Sequence, residues 1–222
     1  MKKENISDAV IRRLPRYYRQ LTELCSRGIV RISSHSLGQE MNITASQIRQ
    51  DFSCFGEFGQ QGYGYKVTAL RAEIASILGM DRGFTAILIG VGNLGQALMC
   101  NFSFKAWGFD LKAAFDVKPE LIGTDYEGVP ILDVATLPQY LSENKIDAAV
   151  LCVPKTHAVA TTELLTRHGI NAIWNFTNVE LTAPESSTIV ENIHFSDSLL
   201  SLSYYISEDL DEKAARAARL NK

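Results

Sequence analysis

The chain lacks any apolar run near the roughly 20 residues that a membrane-spanning helix needs. Its opening, Met1-Lys2-Lys3-Glu4-Asn5, is too polar for a signal-peptide core. Both absences predict a cytoplasmic protein with no membrane partner. Cysteine is scarce: Cys25, Cys54, Cys100 and Cys152 lie far apart, with no CxxC or Cys/His spacing that closes around a metal or a cluster. A metal-centred function is therefore not expected. The four thiols read as reduced and mostly buried, and their spacing gives no support to a redox-sensing thiol. Internal repeats and low-complexity tracts are missing too. With 46% hydrophobic and 21% charged residues the composition indicates neither disorder nor a fibrous array, and 222 residues suit two modest domains.

A strong charge of either sign is also missing, since the net charge is only −3. Dividing the chain near Arg82 changes that. Residues 1–82 hold 12 Lys+Arg against 8 Asp+Glu, a net of +4, whereas the remainder holds 10 against 17, a net of −7. This asymmetry predicts a basic N-terminal module with an anionic partner, carried by an acidic body.

Residues 7–27 place Ala9, Val10, Leu14, Tyr17, Tyr18, Leu21 and Leu24 at helical spacing, with Arg12, Arg13, Arg16 and Arg19 between them. That is the pattern of an amphipathic basic helix, with Pro15 as a point where it divides in two and Gly28 as its stop. Ser34 is placed to cap a second helix through Met41, and Asn42-Ile43 to turn the chain before Thr44 opens a third. Thr44-Ala45-Ser46-Gln47 fits a capping box, and two short helices across a tight turn are helix-turn-helix grammar. Residues 56–65, with spaced glycines and interleaved aromatics, suit a hairpin wing. A helix over 67–78 then leads to a boundary at 79–83. The third helix carries Ser46, Gln47, Arg49, Gln50 and Ser53, residue types that read base edges and phosphates in a major groove. With Thr44 at its cap and Gln61 and Tyr63 on the wing, they form a candidate interface for double-stranded DNA. A solvated helix face has similar composition; the positive charge of the domain and the adjacent wing favour DNA.

From Phe84 the texture changes to alternating strands (85–89, 111–115, 148–153, 172–176) and helices (from Asn93, and over 156–168). This alternation predicts a doubly wound, largely parallel sheet of the Rossmann type. Gly90-Val91-Gly92-Asn93-Leu94-Gly95 directly follows an apolar strand and opens a helix, the setting in which GxGxxG cradles a dinucleotide pyrophosphate. Asp116, followed by Val117, ends the next strand at the distance where an acid accepts the ribose hydroxyls of NAD. Its charge opposes a 2′-phosphate, a preference that nearby Lys118 softens. Val153-Pro154 and Asn175-Phe176-Thr177 end two later strands beside the same crevice and are candidates for the nicotinamide side. Taken singly, Val153 and Phe176 read as ordinary core residues; their placement promotes them.

The run from Thr44 to Gly56, followed by Gln61-Gly62-Tyr63-Gly64-Tyr65, the GxGxxG, Phe115-Asp116-Val117, Val153-Pro154 and Asn175-Phe176-Thr177, closely resembles the Rex family of redox-sensing transcriptional repressors. The resemblance spans nearly the whole chain. It implies a winged-helix DNA-binding domain (1–80), a Rossmann NAD(H)-binding domain (81–195) and a C-terminal domain-swapped helix and tail (196–222). It also implies a homodimer on a pseudo-palindromic operator, released by NADH with NAD⁺ competing for the same pocket. In such proteins the swapped helix brings the phenylalanine aligned with Phe195 to the nicotinamide crevice of the neighbouring subunit. Leu199, Leu200, Leu202, Tyr204, Tyr205 and Ile206 agree with a helix that needs a partner, whether its own Rossmann domain or a second subunit, whereas 207–222 reads as a charged helical tail. The chain departs from the family pattern at Gln50 and Gln61, where many relatives are basic, at Asn101, where some have tyrosine, and at His194, where some have an acid.

The alternative is a small NAD-dependent oxidoreductase, because Val153-Pro154-Lys155-Thr156-His157 resembles a strand end of some sugar dehydrogenases. A lysine and a histidine near a nicotinamide suit proton transfer. Yet residues 177–222 are too few for a substrate domain, and no Tyr-xxx-Lys dyad accompanies the motif. A non-catalytic regulator of transcription is the expected function.

Overall fold

A computed structural model describes residues 6–56, 63–183 and 187–220. The chain divides into two compact units, Met1–Gly83 and Phe84–Lys222.

In the first unit, α1 (Asp8–Ser26) is one continuous helix with Pro15 inside it. The division expected at Pro15 does not occur. An interior proline costs about 3 kcal/mol, but Val10 and Leu14 before it and Tyr17, Leu21 and Leu24 after it are all buried. Each such side chain contributes roughly 1.5–3 kcal/mol, so both halves are held on one core. Beyond Arg27, the amides of Gly28 and Ile29 bond the carbonyls of Cys25 and Leu24 at 3.0 Å and close the last turn.

Strand β1 (Arg31–Ile32) leads to α2 (Ser34–Met41), whose cap is Ser33 rather than the expected Ser34: the Ser33 hydroxyl accepts the Ser36 amide at 3.0 Å. Asn42 takes the left-handed conformation (φ 55°) and turns the chain into α3 (Ala45–Ser53). The turn is tight because of Gly38, where a Cβ would sit 2.5 Å from the Ile43 carbonyl oxygen. Half of the expected capping box forms. The Thr44 hydroxyl accepts the Gln47 amide at 3.1 Å, but the Gln47 side chain turns away to the Asp51 carboxylate at 2.7 Å, an ionised and therefore stronger acceptor.

Strand β2 (Tyr65–Lys66) pairs antiparallel with β1 (Ile32 opposite Tyr65) and runs into α4 (Val67–Ile77). The described end of the wing is thus anchored on the strand before α2; residues 57–62, with Gln61 and most of the expected hairpin, lie outside the described residues. Phe52 seals this core, its ring edge-on to Tyr17 at 4.9 Å and to Tyr65 at 5.3 Å.

The second unit is built on β3 (Phe84–Ile89), α5 (Asn93–Asn101), β4 (Phe109–Asp116), β5 (Asp125–Tyr126), β6 (Val129–Asp133), α6 (Leu137–Glu143), β7 (Ala148–Leu151), α7 (Lys155–Arg167), β8 (Ala172–Asn175), β9 (Ile189–Asn192) and α8 (Phe195–Leu220). The strands form one sheet ordered β5-β6-β4-β3-β7-β8-β9, parallel except for β5. With β3 counted as first, the parallel strands follow the 3-2-1-4-5-6 order of dinucleotide-binding sheets. β3 and β7 are buried almost throughout, which is why both read as unbroken apolar runs. The chain reverses direction across the sheet between these two strands, and that is where the glycine motif sits.

The C-terminal apolar helix and the charged helical tail expected after it form one continuous element. α8 runs unbroken from Phe195 to Leu220, and Leu199, Leu200, Leu202, Tyr204, Tyr205 and Ile206 all stand exposed, Leu200 at 68%. Packing of this apolar stretch back on its own sheet does not occur in the chain.

Candidate functional site

The three motif glycines have separate structural reasons. Gly90 adopts φ +95°, and a Cβ there would meet the Cys152 carbonyl oxygen at 2.7 Å, so a side chain would push apart the ends of β3 and β7. At Gly95 a Cβ would fall 2.0 Å from the Gly90 carbonyl oxygen, which lets α5 rest on the turn. Gly92 is different: its Cβ position faces open space, with nothing within 4 Å. It also caps α5 with no side chain, leaving the first-turn amides around Asn93 and Leu94 without a side-chain cap. Together these make a bare helix N-terminus that an anion can approach closely.

Asp116, nearly buried, ties this turn to the next strand. Its Oδ2 accepts the Val91 amide at 2.6 Å, and its Oδ1 accepts the amides of Val117 (2.8 Å) and Lys118 (2.9 Å). A carboxylate offers about four acceptor sites, so one remains for a ligand hydroxyl. Val117 stands 72% exposed beside it.

The carboxyl ends of the central strands are stitched together. The amide of Gly90 bonds the Phe115 carbonyl at 2.8 Å, that of Cys152 the Ile89 carbonyl at 2.8 Å, and that of Phe176 the Leu151 carbonyl at 2.9 Å. The glycine turn, Asp116, Val153-Pro154 and Phe176 are thereby brought to one edge of the sheet. Asn175 and Thr177 are also tied into the fold. Asn175 is fully buried; its amide donates to the Val179 carbonyl and to Asn192, and its Oδ1 accepts both the amide and the hydroxyl of Thr177. They hold the β8 turn against β9, and the Phe176 ring between them lies 4.5 Å from Trp174 and 6.1 Å from Phe195 of the same chain. Cys152 is inert by environment: burial pushes its thiol up to about 12, far from the thiolate form. His194 pairs with Glu180 at 2.8 Å at the entrance to α8, and Asn101 caps its own helix through the Ala97 carbonyl.

In the first unit Thr44, Ser46, Arg49, Gln50 and Ser53 lie exposed along α3, with Tyr63 exposed beyond it at 71%. The Arg49 guanidinium donates to the Ser34 hydroxyl at 3.0 Å, so its aim is set from α2. Gln47 is half-buried and engaged as described above. Residue-by-residue reading missed the reason: Asp51, wholly buried, takes a two-pronged pair from Arg13 (2.6 and 2.8 Å) and the Tyr17 hydroxyl at 2.7 Å. Burial works to raise its carboxyl, but hydrogen bonds from Arg13, Tyr17 and Gln47 outweigh it and hold Asp51 below the usual range. Burial, then the bond to Asp51, drives Tyr17 strongly upward. One signal was in the sequence: Arg13, Tyr17, Gln47 and Asp51 recur at helical spacing on the inner sides of two helices.

Comparison with known proteins covers both units. The profile described as "CoA binding domain" matches residues 81–179, and that described as "Putative DNA-binding protein N-terminus" matches residues 5–53. The redox-sensing transcriptional repressor Rex of Clostridium acetobutylicum is 49% identical over 207 residues, covering 93% of this chain and 96% of the relative. That of Thermoanaerobacter pseudethanolicus is 49% identical over 208 residues, covering 94% and 92%. Among solved structures, the Rex-family repressor RSP with β-NAD⁺ and operator DNA superposes with a TM-score of 0.86 at 47% identity, over 96% of this chain and 98% of that one. Its complex with β-NADH gives 0.85 at 46%, over 94% and 98%. Relatedness at this level over almost the full length of both partners settles the lineage: the chain belongs to the Rex family of redox-sensing transcriptional repressors.

Proposed function

We propose that this protein is a cytoplasmic, homodimeric repressor that holds a pseudo-palindromic operator and releases it on binding NADH, with NAD⁺ competing for the same crevice. The observation that carries the reading is the joining, in one chain, of a capped α3 bearing Arg49 on its exposed face to a glycine turn that leaves α5 bare. The relatives fit it, one having been solved with operator DNA and NAD⁺ and also with NADH.

The residues present suit the dinucleotide. The backbone from Gly90 to Gly95, including Asn93 and Leu94, would hold the pyrophosphate. Asp116 and Val117 would flank the adenosine ribose, and Val153, Pro154 and Phe176 the nicotinamide; Asn175 and Thr177 support Phe176. When bound, the cofactor supplies a ring that is cationic when oxidised and neutral when reduced. The protein senses rather than turns over, in keeping with relatives that are named redox-sensing transcriptional repressors. Ligand and DNA are coupled if NADH favours a dimer shape in which the two α3 helices no longer match successive major grooves, about one helical turn apart. The exposed apolar face of α8 supports its exchange with a second subunit, which would bring Phe195 to the partner crevice and make interface and sensor one structure.

Arg49→Ala is expected to weaken operator binding by about 1–3 kcal/mol by removing a bidentate base contact, and to leave NADH affinity unchanged. Gel shift and nucleotide fluorescence measure the two halves. Undiminished operator affinity would remove α3 from the interface.

A further inference from the structure

Helix α3 carries two glutamines, and both have the chemistry to read adenine. The structure separates them. Gln50 is exposed, whereas the Gln47 amide is held at 2.7 Å by a carboxylate that is wholly buried and already bears Arg13 and Tyr17. Pulling Gln47 into a groove would strip one donor from a buried charge, a loss that a neutral base contact of similar geometry does not repay. The Arg13 to Asp51 pair joins residues 38 apart in the chain and fastens α1 to α3. Phe52, next to Asp51, packs on the same Tyr17, so rotation of α3 about its axis is opposed from two sides. On the exposed side Arg49 is steadied by Ser34.

We infer that Gln47 and Asp51 are positioning residues: they set the aim of α3 for operator recognition without contacting a base, and sequence reading falls to Ser46, Arg49 and Gln50. This rests on the repressor reading above and refines it by removing Gln47 from the readers. Preference at a single base pair and recognition of the operator as a whole then depend on different residues of one helix. Arg49 acts on a particular base pair, while Asp51 acts on all of them through the angle at which the helix enters the groove.

The test uses the full-length protein and a duplex selected from a random pool, together with a panel in which each base pair is replaced singly, read by fluorescence anisotropy. Gln47→Ala is expected to lower affinity for every duplex by a common factor of about 2–10, so the pattern of preference is unchanged. Arg49→Ala flattens preference at one base pair. Asp51→Asn is expected to lose at least tenfold in affinity for the selected duplex while keeping its binding to a scrambled duplex and its NADH affinity, a split that loss of folding would not give. Selective loss of preference at one base pair in Gln47→Ala overturns the inference, as does selected-duplex affinity within twofold of wild type in Asp51→Asn. Should the latter variant not fold, the Gln47→Ala panel still decides. A wild-type protein that prefers no duplex would instead overturn the repressor reading itself.

Discussion

Asp51 and Asp116 show how one residue type is assigned opposite tasks by its partners. Asp51 has no exposure and three side-chain donors, and its stabilising effect follows its ionisation. Its carboxyl titrates lower in the folded chain than in the unfolded one, where it lies near 3.9. The contribution is therefore fully present above about pH 4–5 and is lost as pH falls through the folded value. Removing the carboxylate leaves a partly exposed Arg13 and costs about 1.5–3 kcal/mol, the range for hydrogen bonds to a charged group. Asp51→Asn should be destabilised by roughly this amount at pH 7, and its deficit against wild type should shrink below about pH 4; urea unfolding across pH reads both, and a deficit independent of pH would contradict it. Asp116 instead bonds only backbone amides and keeps one acceptor site. Asp116→Ala is expected to weaken NADH by about tenfold or more, since bonds to a charged group contribute about 1.5–3 kcal/mol. NADPH should lose less, because the repulsion of its 2′-phosphate goes too. Equal losses in calorimetry would place the adenosine ribose elsewhere.

Among elements, those with strong periodicity or a chemical stop were legible in advance: α1 from its apolar spacing, α3 from Thr44, and β3 and β7 from unbroken apolar runs. The elements missed were β1, β5, β6, α6 and β9, all short; β6 contains Pro130, and the half-exposed Ile-Val-Glu-Asn of β9 has no apolar side of its own. The strands among them are fixed by register with neighbouring strands and α6 by the burial of Leu137 and Leu141, tertiary facts that local pattern does not hold. The site followed the same rule. The glycine turn was readable because its glycine spacing directly follows an apolar strand and opens a helix, whereas the hold of Arg13 and Tyr17 on Asp51 and of Asn192 on Asn175 required partners from other segments. α8 stands apart, since its pattern was legible and, among the described residues, its apolar stretch is left exposed. A chain ending at Asp197 is expected to lose both dimerisation and operator binding, and one ending at Asp209, which keeps Leu199 to Ile206, to retain both. Sedimentation of the two truncations reads the first property, and a stable dimer from the shorter one would refute the exchanged-helix proposal.

At the scale of the whole molecule, the chain carries a basic unit of net +4 for residues 1–82 and an acidic one of −7 for the rest. Such a division steers DNA to the first unit and away from the second. What couples them is differential affinity: NADH can release DNA only by binding better to the shape that does not hold it. Linkage then requires the operator to weaken NADH by the same factor that NADH weakens the operator. The most direct measurement is operator affinity at fixed salt, titrated separately with NADH, NAD⁺ and NADPH. The account predicts that NADH lowers it by tenfold or more, that added NAD⁺ reverses the effect by competition, and that NADPH acts only at much higher concentration. Operator binding unchanged by saturating NADH would contradict it.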